Sequence, residues 1–161
     1  MKKIKLFTDS SVNPQEKIGF ASFLLLNNDE TKVFEDLKKD IKLKRFEDTS
    51  STKLELQTLL WALEEIVDNE LIIDVYTDCQ NIIGLEDRKE KLEKNNFHSS
   101  SGKLMNNHEL YKEFFRKLDE LNLTFIKVKG HKKNSLKDEI DNVFNLVDRA
   151  SRTALRENML T

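Results

Sequence analysis

Four acidic residues have the positions and spacing that could support chemistry. Asp9 and Asp78 each follow a threonine and a short apolar segment typical of a buried strand. If the two strands are parallel neighbours, both carboxylates lie at the carboxyl edge of the sheet, where α/β proteins bind ligands. Glu55 falls in the first turn of the helix predicted between these strands, and Asp148 falls on the last predicted helix.

Carboxylates gathered in one place repel each other, and they cannot all remain ionised without a cation. A hard cation with oxygen ligands, such as Mg²⁺, is the natural partner for such a group. Two such ions about 4 Å apart can activate a water and stabilise a leaving oxygen in phosphodiester cleavage. The sequence therefore suggests a metal-dependent phosphoryl-transfer site.

Each acid also has a purely structural interpretation. Aspartates at strand ends commonly form turns or cap helices. The segment Thr52 to Glu55 matches a capping box, in which Glu55 would bind the backbone N–H of Thr52. Asp148 could lie on a solvated helix face, and Asp141 lies about two turns earlier on a similar face. The catalytic hypothesis rests on the joint pattern, and on no single residue.

The elements that must position these acids follow from the hydrophobic periodicity. The predicted order is β-β-β-α-β-α-α-β-α, an α/β fold with a mixed sheet: antiparallel strands first, then a parallel crossover. The third strand is expected within residues 31–43, with Val33, Leu37, Ile41 and Leu43 as its apolar members. Strands are predicted at 3–9, 18–26, 71–78 and 123–129, and helices at 52–67, 82–93, 110–121 and 140–154.

The overall composition limits the function classes. The chain has 161 residues, which fits one domain, 1–161, and its single cysteine excludes an intrachain disulfide and a cysteine-built zinc site. It contains no apolar stretch long enough for a transmembrane helix and no segment typical of a signal peptide, so a cytoplasmic protein is expected. The net charge of −2 argues against a uniformly basic nucleic-acid-binding surface, so the charges must be judged by position.

Successive segments of the chain resemble the motifs of type 1 ribonuclease H, in the order typical of that family. The resemblance covers nearly the whole chain, and the fourth and fifth of these segments are its most specific parts. The segments are LFTDSS at 6–11, NP at 13–14, TSSTKLEL at 49–56, YTDCQ at 76–80, VKGH at 128–131 and VDRAS at 147–151.

The resemblance implies a ribonuclease H-like fold with a five-stranded mixed sheet flanked by helices. It places the family's metal-binding and catalytic acids at Asp9, Glu55, Asp78 and Asp148, which would bind two Mg²⁺ (or Mn²⁺) ions. The implied reaction is hydrolysis of the RNA strand of an RNA–DNA hybrid, leaving a 3′-hydroxyl and a 5′-phosphate. His131 matches a loop histidine that assists proton movement or product release, a role that suits a side chain with a pKa near neutrality.

The resemblance also implies a set of substrate-binding residues, consisting of small polar side chains near the acids and one lysine. Contacts of this kind suit the shallow minor groove and the 2′-hydroxyls of a hybrid. The implied partner is an RNA–DNA hybrid, with no membrane, bound by a monomer. The residues are Ser10, Asn13, Ser51, Thr52, Gln80 and Lys129.

The chain departs from the family pattern in four places. The glycine-rich bend after Asn13-Pro14 is missing, and Ser51-Thr52 replace the paired asparagines found in many members. In residues 86–107, lysines alternate with acids where some members have a basic, tryptophan-rich substrate handle. The gap from His131 to the last acid is long: spacing alone favours Asp141 as that acid, whereas local context favours Asp148. We therefore expect modest hybrid binding that weakens quickly as salt rises.

Two other functions remain open at the level of sequence. One is a non-catalytic nucleic-acid-binding or interaction module that retains the fold. The other is a related nuclease with a different substrate. Four acids held together argue against the first, because a binding module has no need for mutually repelling carboxylates.

Overall fold

A computed structural model describes residues 2–27, 34–129 and 138–160 of the chain. Within these ranges, five strands form one mixed sheet, as predicted, and their order is β3-β2-β1-β4-β5. β1 pairs antiparallel with β2 and β2 with β3, whereas β1 pairs parallel with β4 and β4 with β5. The strands are β1 (Lys3–Asn13), β2 (Ile18–Asn27), β3 (Lys42–Glu47), β4 (Ile72–Thr77) and β5 (Asn122–Lys127).

Helices cover both faces of the sheet. They are α1 (Phe34–Asp40), α2 (Ser51–Glu64), α3 (Gln80–Leu85), α4 (Lys89–Lys94), α5 (His108–Glu120) and α6 (Glu139–Met159), with a 3₁₀ turn at Glu86–Arg88 between α3 and α4. The single helix predicted at 82–93 is therefore divided into three short pieces. No helix in the described part of the chain is long and apolar enough to cross a membrane.

Alternation along β1 produces two separate cores, because successive side chains of a strand point to opposite faces. Leu6 is fully buried among residues of α2 and α5 on one face of the sheet. Phe7 is fully buried on the other face, where α1 and α6 pack, and its ring stacks on Tyr76 at 4.8 Å. Residues two positions apart on β1 share a face, so Asp9 lies on the α6 side with Phe7.

The prediction for the third strand is wrong. Residues 34–40 form helix α1, and β3 begins only at Lys42. Leu37 is buried as a helix residue, Leu43 is the only one of the four predicted apolar members within β3, and it is 47% exposed. Val33 lies outside the described residues. Leu37 and Ile41 are four residues apart, a spacing typical of one side of a helix, and Ile41 directly follows the end of α1.

β1 is also longer than predicted. The segment from Ser10 to Asn13 was expected to be a loop, but it continues β1 and stays paired with β2. The parallel pairing with β4 ends earlier, at Phe7 and Tyr76. Asp9 therefore lies within β1, at the point where the strand has lost its parallel neighbour.

Candidate active site

The register of β1 and β4 places two of the predicted acids side by side. Phe7 pairs with Tyr76, and Asp9 and Asp78 each lie two residues beyond that pair. Both aspartates are therefore at the carboxyl edge of the two parallel strands, as the sequence predicted. Their charges interact, since Asp78 is one of the groups that raise the pKa of Asp9.

Glu55 is carried to this edge by the first turns of α2. The helix begins at Ser51, and the Ser50 hydroxyl accepts a hydrogen bond from the Lys53 backbone N–H at 3.3 Å. Ser50 is thus the N-cap, and the predicted capping box between Thr52 and Glu55 is wrong because Thr52 already lies inside the helix. The carboxylate of Glu55 is left to interact with groups at the sheet edge.

A close approach between β2 and α2 fixes the position of this helix. Gly19 packs so tightly that a methyl group in place of its hydrogen would lie 2.3 Å from Leu54 Cδ2 and 2.9 Å from Ser11 O. Leu54 is fully buried and immediately precedes Glu55. The one glycine near the bend therefore brings α2 against the end of β1.

Helix α6 presents Asp148 to Asp9, and the side chains of the two residues share a hydrogen bond. The Arg152 Nε also lies 3.0 Å from Asp148 Oδ1. Asp141 has a different environment. It is 6% exposed and forms a capping box with Asp138, in which each side chain accepts a hydrogen bond from the other residue's backbone N–H. The geometry thus favours Asp148 over Asp141 as the fourth acid.

A buried serine connects β1, β2 and α6 beneath these acids. Ser22, opposite Asp9 in the β1–β2 ladder, is fully buried. Its hydroxyl donates to the Val147 carbonyl oxygen at 2.8 Å and shares the same proton with the Asp9 carbonyl oxygen at 3.2 Å. Val147 immediately precedes Asp148, so this hydroxyl bridges the backbones that carry the two hydrogen-bonded acids. The sequence reasoning missed Ser22, because its role depends on a contact 125 residues away.

Burial and like charges strongly perturb the acids. Burial, the Asp148 hydrogen bond and the charges of Asp78 and Asp148 together raise the pKa of Asp9 to about 9, against an opposing backbone hydrogen bond from Ser10. Burial and the charge of Asp78 raise the pKa of Glu55, whereas a hydrogen bond from Cys79 lowers it. A carboxyl group that stays protonated at neutral pH indicates a site where a bound cation would stabilise the ionised form.

Cys79 has a role that the sequence did not indicate. It is a half-buried free cysteine. Its thiol is hydrogen-bonded to Glu55, and burial together with this carboxylate raises the pKa of the thiol to about 12. Cys79 is thus a protonated donor that orients Glu55.

The donor chemistry of the four acids fits a hard divalent cation, since carboxylate oxygens are the ligands that Mg²⁺ prefers. The side chains are linked in pairs: Asp9 with Asp148, Asp9 with Asp78, and Glu55 with Asp78. The four side chains do not form a complete metal-coordination site. In residues 2–27, 34–129 and 138–160, no three His, Cys, Asp or Glu side chains are grouped closely enough to hold a metal ion.

Three of the predicted substrate-binding residues lie beside the acids at strand or helix ends. Ser10 follows Asp9 in β1, and Ser51 and Thr52 are exposed in the first turn of α2. The Asn13 Oδ1 accepts hydrogen bonds from the Gln15 and Glu16 backbone N–H groups, so this carbonyl stabilises the β1–β2 turn.

The other predicted contacts lie at the β4 and β5 ends of the same edge. Gln80 begins α3, and its Oε1 accepts a hydrogen bond from Lys127 Nζ at 2.6 Å. Lys129 is exposed and is the last residue described before the gap at 130–137. His131 falls within that gap, outside the described residues.

Comparisons with known proteins show the family to which the chain belongs. The family model for RNase H matches residues 1–155. A ribonuclease H of Clostridium botulinum is 31% identical over 150 residues, covering 90% of this chain and 95% of that protein. A ribonuclease H of Acetivibrio thermocellus is 29% identical over 147 residues, covering 88% of this chain and 91% of that protein.

Solved structures give the same fold. The solution structure of the PFV RNase H domain matches with a TM-score of 0.70 at 12% identity, covering 94% of this chain and 92% of that one. The crystal structure of LC9-RNase H1, described as a type 1 RNase H with the type 2 active-site motif, matches with a TM-score of 0.69 at 16% identity, covering 95% and 72%. The expectations of a ribonuclease H-like fold and of a ribonuclease H enzyme are therefore confirmed, and the chain belongs to the ribonuclease H family.

Proposed function

We propose that this protein hydrolyses the RNA strand of RNA–DNA hybrids with two Mg²⁺ ions held by Asp9, Glu55, Asp78 and Asp148. The observation that carries the proposal is the position of Asp9, hydrogen-bonded to Asp148 and within the electrostatic reach of Asp78. Without a cation, Asp9 holds a proton and donates a hydrogen bond to Asp148. With cations present, the proton would leave and the oxygens would become ligands.

When bound, the metal ions would supply an activated water and stabilisation of the leaving oxygen. The chain itself contributes the positions of the acids. The β1–β4 register sets Asp9 beside Asp78, the Ser22 hydroxyl fixes α6 against β1, and the Cys79 thiol orients Glu55.

Substrate selection would come from the exposed polar residues around the acids. Ser51 and Thr52 are suited to 2′-hydroxyls in a shallow minor groove. Ser10, Asn13, Gln80 and Lys129 extend this surface along the sheet edge, and His131 is proposed to assist proton movement or product release. The substrate-binding unit is proposed to be one domain, 1–161, that acts as a monomer.

The decisive test uses a uniform RNA–DNA hybrid with a labelled RNA strand, and products sized on a gel with Mg²⁺ or with EDTA. We expect Mg²⁺-dependent internal cleavage of the RNA. The Asp78→Asn variant should lose more than about 100-fold in rate, because even residues outside the ligand shell commonly change metal affinity or activity by 10–100-fold. Absence of metal-dependent cleavage by the wild-type protein would refute the proposal.

Two aspartates of α6 provide a matched pair of variants. Asp148→Asn should abolish cleavage, whereas Asp141→Asn should retain it, because Asp141 is engaged in the capping box. The reverse result would show that the fourth acid is wrongly assigned. Double-stranded RNA and duplex DNA, tested beside the hybrid, distinguish a ribonuclease H from a related nuclease.

A further inference from the structure

The second half of α6 presents an unusually basic surface next to the acids. Three arginines follow Asp148 on this helix, at positions 149, 152 and 156, and all three are exposed. At 100° per residue, they lie within about 60° of one another around the helix axis, on the side that carries Asp148. We name this surface, formed by Arg149, Arg152 and Arg156, the arginine face.

Its own helix neutralises only part of the arginine face. Glu157 is the only acid after Asp148 in α6, and it lies about 100° around the axis from Arg156. Arg152 forms an ion pair with Asp148, at 3.0 Å. In the described ranges 2–27, 34–129 and 138–160, Arg149 and Arg156 form no ion pair.

A second contact fixes where this part of the helix lies. The Asn13 Nδ2 is 3.2 Å from Met159 Sδ, so the last turn of α6 crosses the end of β1. The Ser11 and Ser151 hydroxyls, 3.4 Å apart, make a parallel contact nearer the acids. The helix therefore runs from the acids along the outer part of β1, and about 12 Å of helix separate Asp148 from Arg156.

Residues 86–107, where some family members have a basic handle, carry a different charge pattern. Lys89 lies 3.2 Å from Asp119, so its charge is offset by a carboxylate of α5. Acids alternate with the lysines of α4, as the sequence indicated. On α6 the three arginines share one side of the helix, whereas on α4 the lysines alternate with acids.

We propose that the arginine face is a docking surface for the phosphate backbone of the nucleic-acid substrate, beyond the point of cleavage. The inference rests on the proposed function for the identity of the substrate. Guanidinium groups form bidentate hydrogen bonds with phosphates. A duplex seated on the acids and on the end of β1 passes along α6, so Arg152 lies closest to the reacting phosphate and Arg156 farthest away.

The test is a binding measurement in EDTA, in which cleavage does not interfere. The probe is a 20-base-pair RNA–DNA hybrid with fluorescein on the DNA strand, titrated at several salt concentrations. The variant is Arg149→Gln with Arg156→Gln, which leaves the Asp148–Arg152 ion pair intact. The matched control is Lys112→Gln with Arg116→Gln on α5, which removes the same charge on the opposite face of the sheet.

Loss of two phosphate contacts should reduce the slope of log Kd against log salt by about 1.8, and should raise Kd at 0.1 M salt by about tenfold or more. The control should bind within about twofold of the wild-type protein. Thermal unfolding of both variants verifies that they are folded.

The outcomes separate this proposal from the proposed function. If the wild-type protein cleaves hybrid but the α6 variant keeps the wild-type Kd and salt slope, the docking surface is refuted and the function stands. If the wild-type protein does not cleave but the α6 variant still binds hybrid more weakly than the control, the docking surface stands and the function is refuted. Equal losses in both variants indicate a general charge effect and overturn the proposal.

Discussion

The contact between Gly19 and α2 permits a sharp test of how the fold positions Glu55. In a Gly19→Ala variant, the added methyl carbon would lie 2.3 Å from Leu54 Cδ2 and 2.9 Å from Ser11 O. Real contacts of this kind are essentially never below 3.0 Å, and the second neighbour is a backbone atom that cannot rotate away. Leu54 is fully buried, so its side chain has no open space to enter.

Overpacking of a well-filled core typically costs about 1–3 kcal/mol. Replacing glycine also reduces the freedom of the unfolded chain, which offsets about 0.4–1 kcal/mol of that cost. We therefore expect the free energy of unfolding to fall by about 1–2 kcal/mol. In a domain of this size, that loss lowers the melting temperature by about 2–8 °C.

The matched control is Gly84→Ala in α3, where a methyl group would meet nothing within 4 Å. Alanine is favoured over glycine in a helix by about 0.8–1 kcal/mol, so this variant should be as stable as the wild-type protein or more stable. Urea and thermal unfolding measure both effects. Gly19→Ala should also slow hybrid cleavage at temperatures where it is fully folded, because relief of the contact displaces the first turns of α2 and with them Glu55. A Gly19→Ala protein as stable and as active as the wild type would refute the reasoning.

Three further predictions concern the surroundings of the acids. In EDTA, the free energy of unfolding should fall from pH 6 to pH 8. Folded Asp9, with a pKa of about 9, still holds a proton in this range, whereas the unfolded chain has released it. The slope is at most about 1.4 kcal/mol per pH unit. Urea unfolding of an Asp9→Asn variant should show a flatter pH dependence, and parallel curves would contradict the assigned origin of the slope. Ser22→Ala should cost about 1–3 kcal/mol in urea unfolding, because it removes the buried donor to the Val147 carbonyl group, whereas Ser11→Ala should cost less; equal losses would argue against the bridge. Cys79 should react with a thiol reagent at pH 8 at least about 100-fold more slowly in the native protein than in urea, since only the thiolate reacts and its pKa is about 12; similar rates would exclude the Glu55 hydrogen bond.

Local sequence patterns sufficed to predict the sheet edge that carries Asp9 and Asp78. Each acid follows an apolar strand, and two parallel neighbours necessarily end at the same edge. β3 could not be found in this way, because nearly all of its residues are exposed on both faces and show no alternation of burial. As an edge strand rich in charge, it pairs through its backbone, and its sequence shows instead the charges that discourage pairing with another chain.

The residues that hold the acids in place were beyond the reach of sequence patterns. Ser22 acts through a carbonyl group 125 residues away, and Cys79 acts through a carboxylate on another element. Neither contact has a periodicity or a spacing that a single sequence could reveal. The acids can be found because chemistry fixes their type, whereas many side chains could serve as their supports.

The choice between Asp141 and Asp148 shows why local context outweighed spacing. The two residues are seven positions apart on one helix, so about 10 Å of helix separates them and only one can meet Asp9. Asp138 and Asp141 form the reciprocal cap with which α6 begins, and an aspartate three residues into a helix suits that role. Counting residues from the histidine motif thus leads to Asp141, at the start of the helix. The acid in contact with Asp9 lies two turns further along, where small residues allow α6 to pack closely on β1. Ser151 is one of them, fully buried with its hydroxyl 3.4 Å from that of Ser11. The close packing that brings Asp148 to Asp9 therefore depends on the same small residues that distinguish its local motif.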